Sequence, residues 1–187
     1  YRYRYRVVPR FGTPAALTEG AATEVEIGTE PLSGGEHDVH FNRGAIASQA
    51  FARRFPGLSL DDAGAPAYAW LARDLLPAML AFIGRAQGAS WSLRAAIYEL
   101  RWLRVLQAFL AASQSGADVR IVYHAKDDDT GAANEVEIDA AGIRGLCTPR
   151  SDVKLMHNKF IVLLRDNAPV AVWTGSTNLS RNALHGQ

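Results

Sequence analysis

Cysteine is nearly absent: Cys147 is the single one in 187 residues, so no disulfide can close within the chain. That count leaves the compartment open between cytoplasm and secretion. No apolar run reaches the ~20 residues needed to cross a bilayer as a helix. A dominant charge is missing too, since 20 Lys and Arg against 19 Asp and Glu leave a formal charge of +1. No global field therefore draws the chain toward nucleic acid or an anionic membrane, although a local basic patch remains compatible with that balance. There is no Cys/His cluster with zinc-ligand spacing and no internal repeat. The chain starts at Tyr1 rather than at Met, so the natural N-terminus, with any signal peptide, is expected to be missing. What the chain does have is 48% hydrophobic residues, enough for one domain with a real core and a small appendage.

Period-two patterning marks the beginning. Residues 1–6 alternate tyrosine and arginine, and residues 24–27 and 39–41 alternate in the same manner. Residues 1–44 are read as a small β-rich region, with the first strand wet on one face. Alternating aromatic and arginine side chains can stack on bases and hold phosphates. The plainer reading is an exposed or edge strand kept soluble by its arginines. Residues 45–55 read as a helix ended by Pro56-Gly57, and residues 66–87 as a longer helical stretch kinked or split at Pro77. From Leu93 the order is strand (93–100), amphipathic helix (101–115), strand (118–124), polar loop (126–131), short helix capped by Asn134 (134–141), and two strands (159–164 and 170–173) joined by a turn. Such alternation argues for an α/β layer structure with a partly parallel sheet.

The informative segments are Met156-His157-Asn158-Lys159-Phe160-Ile161-Val162 and Trp173-Thr174-Gly175-Ser176-Thr177-Asn178. On a strand, His157 and Lys159 share one face, with Phe160 and Val162 on the opposite, core face. A His and a Lys side by side are a poor choice for packing and a good one for an anion. Lysine supplies a charge for a phosphate oxygen, and imidazole can attack phosphorus or move a proton. Ser176 and Asn178, again two apart, add neutral donors, and Gly175 permits close approach. If the two strands pair, these groups converge into a metal-free phosphate clamp.

His157-x-Lys159 followed by Gly175-Ser176-x-Asn178 resembles the HKD motif of the phospholipase D superfamily, over roughly Leu93 to the C-terminus. The resemblance implies a phospholipase D-like α/β fold, a mixed sheet flanked by helices, over residues 45–187. It implies His157 as the nucleophile forming a phosphohistidine, Lys159 and Asn178 binding the phosphate, and Ser176 and Gly175 assisting at the substrate. No cofactor or metal is implied. In this family two half-sites meet, the second histidine protonates the leaving group, and water or an alcohol resolves the intermediate.

The sequence departs from the motif at Leu164, where the family carries an acid; Asp166 comes two residues late. It also contains no second His-x-Lys followed by Gly-Ser-x-Asn: His124-x-Lys126 has the spacing but not the sequel. The partner half-site must come from a second copy of the chain or from a longer chain. The end at Gln187, nine residues past Asn178, is read as truncation of a two-motif enzyme. The expected substrate is a phosphodiester, a phospholipid headgroup by a narrow margin over DNA or RNA. The alternative is a degenerate, non-catalytic phosphate- or nucleic-acid-binding domain. Glu99, at a strand end, could orient His157 or line the pocket. His124 and His185 are read as a hydrogen-bonded loop residue and a free terminal one, and Asp127-Asp128-Asp129 as a solvated loop rather than a cation site.

Overall fold

The computed structural model of the chain describes residues 2–28, 34–152 and 154–186; Tyr1, the first residue of the alternating run, lies outside them. The chain divides into two units, Tyr1–His40 and Phe41–Gln187.

The first unit contains two antiparallel ribbons. Strand β1 (Arg2–Val7) pairs with β4 (Thr23–Gly28), and β2 (Arg10–Thr13) with β3 (Ala16–Glu19). The arginines meet glutamates across the ladder: Arg4 contacts Glu26 at 2.6 Å, Arg6 contacts Glu24 at 3.8 Å and Arg10 contacts Glu19 at 2.5 Å. Exposed pairs of this kind contribute about 0–1 kcal/mol each, so they matter more for cancelling charge than for stability. Both faces of the β1–β4 ribbon are exposed, not one. Within its unit a two-stranded ribbon has no layer to pack against. The strand expected at 39–41 is irregular chain: a strand needs a neighbour for its N–H and C=O groups, and among the described residues no ladder reaches it.

The second unit is built on a five-stranded sheet in the order β7-β6-β5-β8-β9. These strands are β5 (Trp91–Ile97), β6 (Asp118–His124), β7 (Cys147–Arg150), β8 (Lys159–Arg165) and β9 (Ala168–Thr174). β5, β6 and β7 run parallel; β8 and β9 add antiparallel pairs, so the sheet is mixed. Helix α4 (Leu103–Gln114) connects β5 to β6, and α5 (Asp129–Ala140) lies between β6 and β7, as parallel neighbours require. The arrangement is the mixed α/β sheet flanked by helices that the sequence led us to expect.

One face of the sheet carries the core. Leu93, Ala95 and Ile97 of β5 lie in register with Val119, Ile121 and Tyr123 of β6, and all six are buried. They form one cluster with Met79 and Ile83 of α3 (Leu75–Ile83) and with Val105, Leu106 and Phe109 of α4. The pairing Leu93↔Leu163, Ala95↔Ile161, Ile97↔Lys159 puts Lys159 at the end of this buried row. The facing of β8 is thus opposite to the sequence expectation. Ile161 and Leu163 are fully buried, whereas Phe160 and Val162 are half-buried on the more open face. β8 is apolar on both sides, so period two alone could not tell which side meets the helices.

Other boundaries shift for local reasons. The long helical stretch breaks at Arg73 (φ 52°) between α2 (Leu60–Ala72) and α3, not at Pro77. Pro77 sits in the first turn of α3, where a missing N–H costs nothing. The first helix, α1 (Gln49–Arg54), is shorter than expected and starts at Ser48, whose hydroxyl accepts the Phe51 N–H at 3.1 Å. α5 is capped by Asp128, not Asn134. The β8–β9 turn uses Asp166 and Asn167, both at positive φ (50° and 64°), the geometry that a two-residue hairpin favours. Among the described residues no helix is long and apolar enough to cross a membrane.

Candidate active site

Strand polarity gathers the motif residues at one end of the sheet. β5 and β6 finish where β8 begins, since Ile97 pairs with both Tyr123 and Lys159, and β9 finishes there too, with Thr174 opposite Phe160. Tyr98 and Glu99, His124, His157 to Lys159, and Gly175 to Asn178 therefore share that edge.

His157 lies just ahead of β8 rather than within it, in irregular chain, and its side chain is exposed. Its relation to Lys159 is accordingly not the strand alternation expected from spacing. The chain around it is held by three backbone contacts. The Tyr98 N–H donates to the Asn158 carbonyl at 2.8 Å, Lys159 Nζ donates to the His157 carbonyl at 3.1 Å, and the Met156 N–H points at His124 Nδ1 at 3.5 Å. The His157 ring lies 4.8 Å from the Tyr98 ring centroid. Lys159 is only 9% exposed, and its ammonium sits 5.2 Å from the same tyrosine ring. Burial pushes the Lys159 pKa down, with the Glu99 carboxylate pulling the other way. A partly desolvated cation beside an exposed imidazole is suited to receive an anionic oxygen, because its field is less screened there than in water.

Glu99 lies past the end of β5, where its carboxylate pairs with Arg101 at 2.8 Å. It bears on Lys159 through its charge, and the partner the structure gives it is an arginine rather than His157. Gly175 to Asn178 leave the ladder after Thr174, so Ser176 and Asn178 belong to a loop and not to one strand face. Beyond the Phe160↔Thr174 pair β8 offers only Lys159, so the ladder has almost nothing left to continue on. The loop is re-anchored at once: Leu179 bridges to Leu100, its N–H donating to the Glu99 carbonyl at 3.0 Å. Ser176 is exposed. Asn178 is half-buried, and its side-chain oxygen is buried with no hydrogen-bond partner among the described residues. A buried orphan polar atom at such an edge is a place where a ligand can complete the bonding.

Spacing did not single out the residues that brace this edge. Asn134 is fully buried on α5, its Oδ1 accepting the Leu100 N–H at 2.9 Å. Its Nδ2 donates to the carbonyls of Tyr98 at 2.7 Å and His124 at 2.9 Å. The available signal was its place four residues before Ile138, on the buried side of the helix. His124 is fully buried, edge-on to Tyr98 at 5.1 Å, and hydrogen-bonded to Asp128. His185 is 1% exposed rather than free. Its Nδ1 donates to the Arg181 carbonyl at 2.8 Å, its ring packs against Tyr68 and Trp102, and burial pushes its pKa down. Among the described residues no group of three or more His, Cys, Asp or Glu is arranged to hold a metal ion, the Asp127-Asp128-Asp129 run included.

Leu164 and Asp166 sit toward the other end of β8. Leu164 is five residues along the strand from Lys159, about 17 Å away, and Asp166 is in the hairpin turn near Arg165. The missing acid therefore falls away from His157 rather than beside it.

Residues 79–187 match the family model described as the phospholipase D-like domain of cardiolipin synthase. The chain is also similar to a solved structure, the phospholipase D family member Nuc from Salmonella typhimurium. That match has 28% identity and a TM-score of 0.45 and covers 58% of this chain and 66% of that one. The chain thus spans just under two thirds of that solved protein. No curated protein matches it.

Proposed function

Since the chain belongs to the phospholipase D-like domain family, we propose that it is a phosphodiesterase carrying one catalytic half-site, with His157 as nucleophile and a phospholipid headgroup ester as substrate. The His157 imidazole attacks phosphorus, forming an N–P bond as the P–O bond to the leaving alcohol breaks. A histidine of the second half-site, from another copy or another part of the natural chain, gives that alcohol its proton. Water or an acceptor alcohol then attacks phosphorus, loses its proton to the same histidine, and releases His157.

Lys159 and Asn178 hold the non-bridging oxygens, with Ser176 donating at the rim and Gly175 leaving room for the phosphate. Glu99 keeps the Lys159 charge in place and lines the pocket from the β5 side. The observation that carries the reading is the buried Lys159 ammonium bonded to the backbone of the exposed His157, at the sheet edge where the Asn178 side chain has an unpartnered atom. This donor set can neutralise a phosphorane-like charge without a metal. The lipid is favoured over nucleic acid because the chain's formal charge is only +1 and Arg4, Arg6 and Arg10 of the N-terminal ribbons are matched by glutamates.

The test is hydrolysis of bis(p-nitrophenyl) phosphate by the natural protein with EDTA present, run beside phosphatidylcholine vesicles and single-stranded DNA. EDTA-resistant turnover with headgroup release from the vesicles is expected. Turnover abolished by EDTA would overturn the metal-free chemistry, and cleaved DNA with untouched vesicles would overturn the lipid.

A further inference from the structure

His157 stands outside the strand ladder, so sheet hydrogen bonds do not set its position. What precedes it is set by a buried histidine from another part of the chain, itself paired to an exposed carboxylate. Met156 is 3% exposed, and its N–H points at Nδ1 of His124, which is fully buried at the end of β6. The other ring nitrogen of His124, Nε2, lies 3.0 Å and 3.3 Å from the two carboxylate oxygens of Asp128. Asp128 is itself fixed. It caps α5 by accepting the Gly131 N–H at 2.9 Å, and a Cβ on Gly131 would collide with the Lys126 carbonyl. That Gly131 bond first, and then His124, hold the Asp128 carboxyl below the usual carboxylate range. The His124 carbonyl is tied down by Asn134.

A carboxylate can only accept, so it requires the hydrogen on His124 Nε2. Nδ1 is then the acceptor that a backbone N–H needs. With the hydrogen on Nδ1 instead, two donors would face each other in a dry site, and Met156 would be pushed away.

We propose that Asp128 and His124 are positioning residues for His157: the carboxylate fixes the His124 tautomer, and His124 Nδ1 holds the Met156 N–H so that the next residue presents its imidazole to phosphorus. The inference rests on His157 being the nucleophile, and it extends the site to a pair that never touches substrate. Partners that orient a metal-ligating histidine from behind are typically worth about 10–100-fold in activity, and the same scale is expected here.

The test uses Asp128→Asn in the natural protein. Asparagine is nearly the same size and still caps a helix, but its NH2 can donate to Nε2 and so permits the wrong tautomer. On bis(p-nitrophenyl) phosphate, kcat should fall about 10–100-fold with KM and melting temperature nearly unchanged. The nitrogen-15 spectrum of labelled histidine should move the His124 hydrogen from Nε2 to Nδ1. His124→Asn leaves an amide oxygen near the Nδ1 position whatever residue 128 is. In that background Asp128→Asn should cost no further activity. A kcat within twofold of the parent for Asp128→Asn, a loss that merely follows the folded fraction, or a parent His124 with hydrogen on Nδ1 would overturn the proposal. His157→Ala is run alongside. If it stays active the nucleophile reading falls; if it is dead while Asp128→Asn is fully active, the positioning pair alone falls.

Discussion

Replacing His157 by alanine should cut kcat on a phosphodiester by at least about 10⁴-fold, the scale seen when a covalent nucleophile is deleted. The melting temperature should stay within about 2 °C of the parent, as for exposed surface substitutions. Both halves follow from the surroundings of the side chain. His157 is exposed and its described ring contact is with Tyr98, so its removal opens no cavity. Its carbonyl, which accepts from Lys159, is backbone and survives the change. Lys159, Asn178 and Ser176 would remain able to bind phosphate, so the variant should still bind substrate while failing to turn it over. Steady-state kinetics and a thermal melt on the same preparation check this. Activity within tenfold of the parent would contradict it.

The second large effect falls on stability. Asn134→Ala removes three hydrogen bonds at once and leaves the Leu100 N–H and the carbonyls of Tyr98 and His124 without those partners in a dry interior. Each unsatisfied buried group costs about 1–3 kcal/mol, so the total should reach about 3–5 kcal/mol. For a chain of this size that is a fall of roughly 10 °C in melting temperature. Asn134→Asp separates hydrogen bonding from volume. It keeps an acceptor for Leu100 but sets a second oxygen against two carbonyl oxygens, so it should be no better than alanine despite equal size. Because the same amide ties down both Tyr98 and His124, the surviving folded fraction should also turn over more slowly. Thermal and denaturant melts read the first effect; an alanine variant within about 1 kcal/mol of the parent would show that the brace is dispensable.

Much of this was legible in the sequence, and the limits have physical causes. β6 falls where alternation placed it, at Asp118–His124, and α4 and the β8–β9 hairpin follow from amphipathic spacing and turn-forming residues. The His157-x-Lys159 and Gly175-Ser176-x-Asn178 pattern named the family from four polar side chains. What spacing could not carry was facing. β8 has apolar residues on both sides, and only its pairing with β5 shows that Lys159 continues the buried row of Ile161 and Leu163. The start of β8 at Lys159 was read from the sequence, but not its consequence, that His157 is held by contacts outside the ladder.

Asn134, His124 and Asp128 escaped for a related reason. Read locally, an asparagine near a helix start is a cap and an aspartate run is a loop. Their roles here arise from groups 34 and 36 residues away, Leu100 and Tyr98, and 32 residues away, Met156. The acid missing at Leu164 weighed against the site on paper and weighs less in space, since it lies far along the strand.

The most direct measurement is to trap the covalent intermediate. The natural protein would be mixed with a phosphodiester, quenched in alkali within a turnover, digested and sequenced by mass spectrometry. A phosphoryl adduct on His157, stable to base, labile to acid and absent from His157→Ala, is the predicted result. Turnover with no adduct on His157, or with the adduct on another residue, would contradict the account at its centre.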